Sequence, residues 1–188
     1  RVPSFVEMFL DEARIAAKLS HSNIVQIFDL GKADDTFFIA MEYVPGLSLS
    51  ELHLHLERHR SRAAGPLAAL IVMNVCIALE YAHTKLDSDG SPLNIIHRDV
   101  SPSNVVVSFE GEIKLIDFGI AKAGQRLHQT QGGLIKGKRG YISPEQIRGG
   151  QADVRSDVFA AGMVLHGLLS QRKPQHDEAD RWPIPPPS

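Results

Sequence analysis

At 188 residues and 20.7 kDa, with 43% apolar residues, the chain is long enough for one domain with a real hydrophobic core and too apolar to stay disordered. Its 20 basic and 22 acidic residues leave a net charge of −2, which excludes a global electrostatic pull toward nucleic acid or an anionic membrane surface. The lone cysteine, Cys76, excludes an internal disulfide and fits a reducing, cytoplasmic setting.

Apolar residues recur at helical spacing from Phe5 to Leu19, and the polar cluster Ser20-His21-Ser22-Asn23 ends that helix. The β-branched and aromatic runs Ile24 to Leu30 and Thr36 to Val44, split by Gly31 to Asp35, predict a hairpin, with Pro45-Gly46 stopping its second strand. Two helices are expected next, from Leu49 to about Arg60 and from Leu67 to Thr84, divided by a break at Gly65-Pro66. The apolar run Leu67 to Leu79 spans about 13 residues, whereas a bilayer crossing needs roughly 20, so it predicts a buried core helix and no membrane segment. Short strands follow at Val105 to Phe109 and Ile113 to Ile116 around a Glu110-Gly111 turn. A glycine-rich, structure-poor stretch runs from Gly119 to Gly140, a helix lies near Asp157 to Leu169, and the chain closes on a proline-rich tail. Arg1 is preceded by no methionine and followed by no signal-like leader, so residues are expected upstream.

The chemistry-bearing signals come in a fixed order. His97-Arg98-Asp99-Val100-Ser101-Pro102-Ser103-Asn104 matches the pattern H-R-D-x-x-x-x-N just before a predicted hairpin. Asp117-Phe118-Gly119 follows, then Ser143-Pro144-Glu145 and Ser156-Asp157-Val158-Phe159. Each motif alone is weak, but four in this order and spacing resemble the protein kinase family, and more narrowly the eukaryotic-like bacterial serine/threonine kinases.

That resemblance implies an α+β, two-lobed fold. Residues 1–44 would be the end of the small lobe and the hinge, 45–172 an incomplete large lobe, and 173–188 a tail or linker. It implies ATP and Mg²⁺ as cofactors and Ser/Thr-bearing proteins as substrates. Asp99 would accept or orient the substrate hydroxyl proton, while Asp117 and the amide oxygen of Asn104 would hold metal, since phosphoryl transfer relies on positioning and charge neutralisation. Glu12 resembles the small-lobe glutamate that pairs with a phosphate-binding lysine. Met41 resembles the gatekeeper, the carbonyl of Glu42 and amide of Val44 the adenine contacts, and Val106 the residue beneath the adenine. Arg98 implies control through the following segment, where Thr130 is the candidate phosphosite.

The chain also departs from the family pattern. Serine/threonine kinases usually carry lysine two residues after the catalytic aspartate, where this chain has Ser101; the usual threonine before the P-E pair is replaced by Lys138. These positions lie side by side in the family, so Lys138 is expected to restore the missing charge and is counted among the catalytic residues. Pro102 favours Ser/Thr over Tyr acceptors. The glycine-rich loop, its partner lysine and the last helices are not in the chain, so a non-catalytic scaffold or inactive fragment is the rival reading. His53, His55 and His59, with Glu57, lie on a helix at spacings that turn successive members apart, which predicts a solvated face.

Overall fold

The computed structural model describes residues 10, 13–34, 36–59, 65–118 and 138–170. Within the expected first helix, residues 10 and 13–16 are helical, and Ala13, Ala16 and Leu19 are buried. The hairpin forms from β1 (Ile27–Ala33) and β2 (Thr36–Met41), antiparallel, with Ile27 opposite Met41 and Ala33 opposite Thr36. Both strands are shorter at their outer ends than expected, but β1 runs on through Gly31–Ala33, which were expected in the loop, and Asp34 takes the left-handed conformation (φ 52°) that the tight turn requires.

A three-stranded antiparallel sheet follows, in the order β3 (Gly46–Ser48), β4 (Val105–Ser108), β5 (Ile113–Leu115). β3 corrects the sequence reading: Gly46 does not end strand structure but begins a new strand, paired with Ser108. The reason is close approach, since a side chain at Gly46 would overlap the main-chain carbonyl of Val107.

Two longer helices carry the core. α1 spans Leu49–Arg58 and α2 spans Gly65–Thr84. Gly65-Pro66, expected to break the chain, instead forms the first turn of α2, where proline loses no intrahelical bond. At 20 residues α2 is long and apolar enough to cross a bilayer by composition, yet Ile71, Val72, Val75, Ala78 and Leu79 pack into the protein core. Leu67, Leu70 and Met73 face outward, so only one face of the expected core helix is buried. Asn74, which interrupts the apolar run, accepts a hydrogen bond from Asn23 Nδ2 at 3.0 Å, and Asn23 also donates to the Ile113 carbonyl at 2.8 Å. Thus the segment after the first helix is tied to both α2 and β5.

α3 is a single turn (Pro144–Ile147), begun by a capping box between Ser143 and Gln146, and α4 spans Val154–Ser170. α4 lies against α2, and Ala161, Val164 and Leu168 join Ile71, Val75, Leu115 and Val105 in one continuous core. Gly46→Ala should lower stability by about 1–3 kcal/mol, because the clash is with main chain, which cannot rotate away. A urea melt of the variant with an unchanged midpoint would count against the close-approach reading.

Candidate active site

The H-R-D segment is anchored from beneath. Asp157, in the first turn of α4 and almost fully buried, accepts the backbone N–H of His97 (Oδ2, 2.8 Å) and of Arg98 (Oδ1, 2.8 Å), and Oδ2 also meets His83 Nε2 at 2.8 Å. Arg98 has φ 65°, a left-handed conformation that a non-glycine residue adopts only when its surroundings impose it. Here its amide is held by Asp157, and its carbonyl accepts Gln146 Nε2 of α3 at 3.2 Å.

His97 is completely buried with both ring nitrogens engaged: Nε2 donates to the Ile116 carbonyl (3.0 Å), and Nδ1 accepts the Asp99 amide (3.2 Å). Its ring lies 4.6 Å from that of Phe118. Burial pushes the imidazole below its usual range, against the opposing pull of Asp157 and the Ile116 carbonyl. His97 is therefore neutral in the folded protein, while in the unfolded chain it takes up a proton near its ordinary value of about 6.5. Stability from the neutral ring is full above that pH and declines as pH falls below it, by at most about 1.4 kcal/mol per pH unit. His97→Phe should flatten this acid slope between pH 7.5 and 5.5 in urea melts; identical slopes in both proteins would refute the role.

Beyond His97 the chain places its acidic and amide groups together. Ser101 is extended (φ −162°, ψ 162°), and the 3₁₀ turn Pro102–Asn104 brings Asn104 back, so that its Nδ2 donates to the Asp99 carbonyl (2.8 Å) and to Asp99 Oδ2 (3.1 Å). The Ile116 amide donates to the Asn104 carbonyl at 2.9 Å, which sets Asp117, itself left-handed at φ 57°, beside the turn. Lys138 precedes a 3₁₀ turn at Arg139–Tyr141 and extends its Nζ to 2.8 Å from Asp99 Oδ2. The Asp99 carboxylate thus lies between the amide of Asn104 and the ammonium of Lys138, residues far apart in sequence.

The residues expected to form the hinge also converge. Lys114 on β5 pairs with Glu42 Oε1 at 2.6 Å, the Gln26 amide donates to Glu42 Oε2 at 3.2 Å, and Val106 on β4 lies opposite both Ser48 and Lys114. Burial works to raise the Glu42 pKa, but the bonds from Lys114 and Gln26 outweigh it and hold the carboxyl below its usual range. Met41 ends β2 partly exposed, and Val44 is half-buried. Glu12 and Thr130 lie outside the described residues. His53 and His55 are on α1, and His59 is in the turn just past its last residue, Arg58; His59 Nδ1 meets the His55 carbonyl at 2.9 Å, with the two rings 4.2 Å apart. Among the described residues no group of three or more His, Cys, Asp or Glu forms a metal cage.

Sequence reasoning missed the His83–Asp157–His97 anchor, whose members are 74 and 60 residues apart and share no local pattern. It also missed the partner of Glu145, which accepts a short hydrogen bond from the Ser156 hydroxyl. Burial acts to raise the Glu145 pKa, but the bonds from Ser156, its own amide and Ser143 leave it lowered.

Comparison with known proteins agrees with this geometry. Residues 3–182 match the protein kinase domain family, and the chain belongs to that family. It is 44% identical to the tyrosine-protein kinase MasK of Myxococcus xanthus across 95% of its own length and 28% of that protein. It is 39% identical to the serine/threonine-protein kinase PrkC of Bacillus subtilis across 93% of its own length and 25% of that protein. Against the solved kinase domain of Mycobacterium tuberculosis PknI it aligns with a TM-score of 0.68 and 32% identity, covering 97% of this chain and 62% of that one. The fold is therefore the α+β protein kinase fold, and the chain spans roughly a quarter to a third of the length of the curated relatives it matches.

Proposed function

We propose that the protein transfers the γ-phosphate of ATP to serine or threonine hydroxyls of protein substrates, in the cytoplasm, where ATP and the free Cys76 thiol are both at home. The observation that carries this reading is the Asp99 carboxylate held between Asn104 Nδ2 and Lys138 Nζ. A carboxylate fixed in this way can receive and orient a hydroxyl proton, because its rotation is restrained and its charge is partly balanced.

Protein kinases use ATP with Mg²⁺, and the residues present fit the ion. Asn104 spends its Nδ2 on Asp99, which leaves Oδ1 with only a long contact from Ser103 Oγ at 3.3 Å. Mg²⁺ is commonly held by one or two carboxylates together with phosphate oxygens rather than by a protein cage. Asp117 and Asn104 are the residues that would hold it, and when bound it supplies neutralisation of phosphate charge. The Glu42 carbonyl and Val44 amide would take the adenine edge, with Met41 beside it and Val106 beneath. Glu12 would orient the phosphate-binding lysine.

Lys138 is assigned a second role. Ser101 cannot supply a cation, and the ammonium at Asp99 comes instead from Lys138. Removing one such charge from a partly dry site typically costs about 10²–10³ in rate. Lys138→Thr should lose activity on that scale, and adding Ser101→Lys should restore much of it, giving non-additive coupling in a cycle on kcat/KM. Coupling within about 0.5 kcal/mol of zero would sink the exchange.

A tyrosine acceptor is the second reading, favoured by the name of the 44%-identical relative, while the serine/threonine relatives and Pro102 favour the first. Because the chain covers 62% of the solved kinase domain, the assay is made on a protein extended at both ends to that domain's length. With ATP and Mg²⁺ it should label a generic substrate on Ser or Thr, and Asp117→Ala should abolish the labelling. Phosphotyrosine alone in the hydrolysate would overturn the acceptor assignment. Labelling no greater than in the Asp117→Ala variant would return the protein to the scaffold reading.

A further inference from the structure

A cavity of about 250 Å³ opens beside the Asp99–Lys138 pair, between α1, the turn after Asp99 and α4. Its floor is apolar and belongs to the core: Leu49, Val164 and Leu168 are all nearly or fully buried. Ser101 and Lys138 form the side nearest Asp99, whose Oδ2 is 2.8 Å from Lys138 Nζ, so the cavity adjoins the carboxylate assigned to the acceptor hydroxyl. Sites for drug-sized ligands usually run from about 300 to 1,000 Å³, so this one is small for a separate cofactor. It is ample for a single large side chain, since a dry apolar cavity of about 150 Å³ accepts a benzene ring.

The charge of the lining narrows the guest further. Among the described residues the ionisable groups on its walls are His53, Lys138 and Tyr141, with no aspartate or glutamate. A lysine or arginine side chain would thus enter next to an ammonium, with no carboxylate on the walls and with the adjoining one, Asp99, already paired to Lys138. Burial pushes the Tyr141 hydroxyl up to about 12, a sign of poor hydration that also penalises a charged guest.

We propose that this cavity is a specificity subsite, and that it takes one large apolar side chain, aromatic or branched aliphatic, from a residue flanking the acceptor in the protein substrate. The inference rests on the kinase reading of Asp99. It defines substrates with an apolar residue near the phosphorylated hydroxyl and disfavours those with a basic residue at that place.

The test uses acceptor peptides that differ at one flanking position, within four residues on either side of the hydroxyl. Phosphorylation by the extended protein should be about ten- to a hundred-fold more efficient with Phe or Leu than with Ala at one of these positions, and Arg there should fall below Ala. Ser50 lines the cavity from the first turn of α1, where an acidic residue also suits the helix terminus, so Ser50→Glu should fold normally. It should shrink the apolar preference and admit Arg. A flat profile, or a preference for Arg or Lys in the unsubstituted protein, would overturn the subsite. If no peptide is phosphorylated the kinase reading fails, and fluorescence anisotropy with the same labelled peptides decides the subsite separately. Tighter binding of the Phe peptide than of the Arg peptide, lost in Ser50→Glu, supports it; equal binding, or none, overturns it.

Discussion

The arrangement around the catalytic loop depends on one buried carboxylate. Asp157 receives two consecutive main-chain amides, from His97 and Arg98, and a ring nitrogen from His83. Charge-assisted bonds of this type are about twice as strong as neutral ones, and in an enclosed setting they hold direction as well as distance. They are what allows Arg98 to remain at φ 65°, a strained conformation that turns the chain so that Asp99 emerges toward Asn104 and Lys138. Without that turn the two halves of the site would not meet.

The same helix that supplies Asp157 supplies part of the wall of the cavity beside Lys138. Val164 and Leu168 lie two and three turns further along α4, on the face packed against α2, and they set the apolar floor beside the Asp99–Lys138 pair. The seating of the H-R-D loop and the shape of the cavity beside it are therefore coupled through one helix. A change in how α4 seats on α2 would move the anchor of the loop and the shape of the subsite together.

Charge is distributed in this site by tertiary contact rather than by sequence neighbourhood. Ser101 sits within the loop with its hydroxyl 3.0 Å from Ser103, and the cation reaches Asp99 from Lys138, which is 39 residues away in the chain. The segment expected to form the hinge follows the same logic: Glu42 is neutralised by Lys114, which pairs across the sheet with Val106. In both pairs, Asp99–Lys138 and Glu42–Lys114, the partner is delivered by a different segment, so the partial burial of these charges is tolerated.

Much of this was legible in the sequence because it is local. The H-R-D-x-x-x-x-N pattern, the D-F sequence after the second short strand and the apolar run of α2 all depend on spacing along the chain, and the structure places Asn104 at the end of a turn, Asp117 two residues past β5 and the run on a helix. Three features were not legible. β3 exists because Gly46 lets its backbone approach the Val107 carbonyl; the Asp157 anchor joins residues 60 and 74 positions apart; and the subsite is enclosed by α1, α4 and the loop after Asp99. Periodicity reports which face of an element is apolar, but not which distant group it meets. The sequence by itself determined the residue types of the catalytic set and the family they belong to. Lys138 was already expected from the sequence to supply the missing charge; only the tertiary structure gave its 2.8 Å contact with Asp99, what holds Arg98 in its turn and the shape of the cavity beside them, because those depend on through-space distances that chain spacing does not encode.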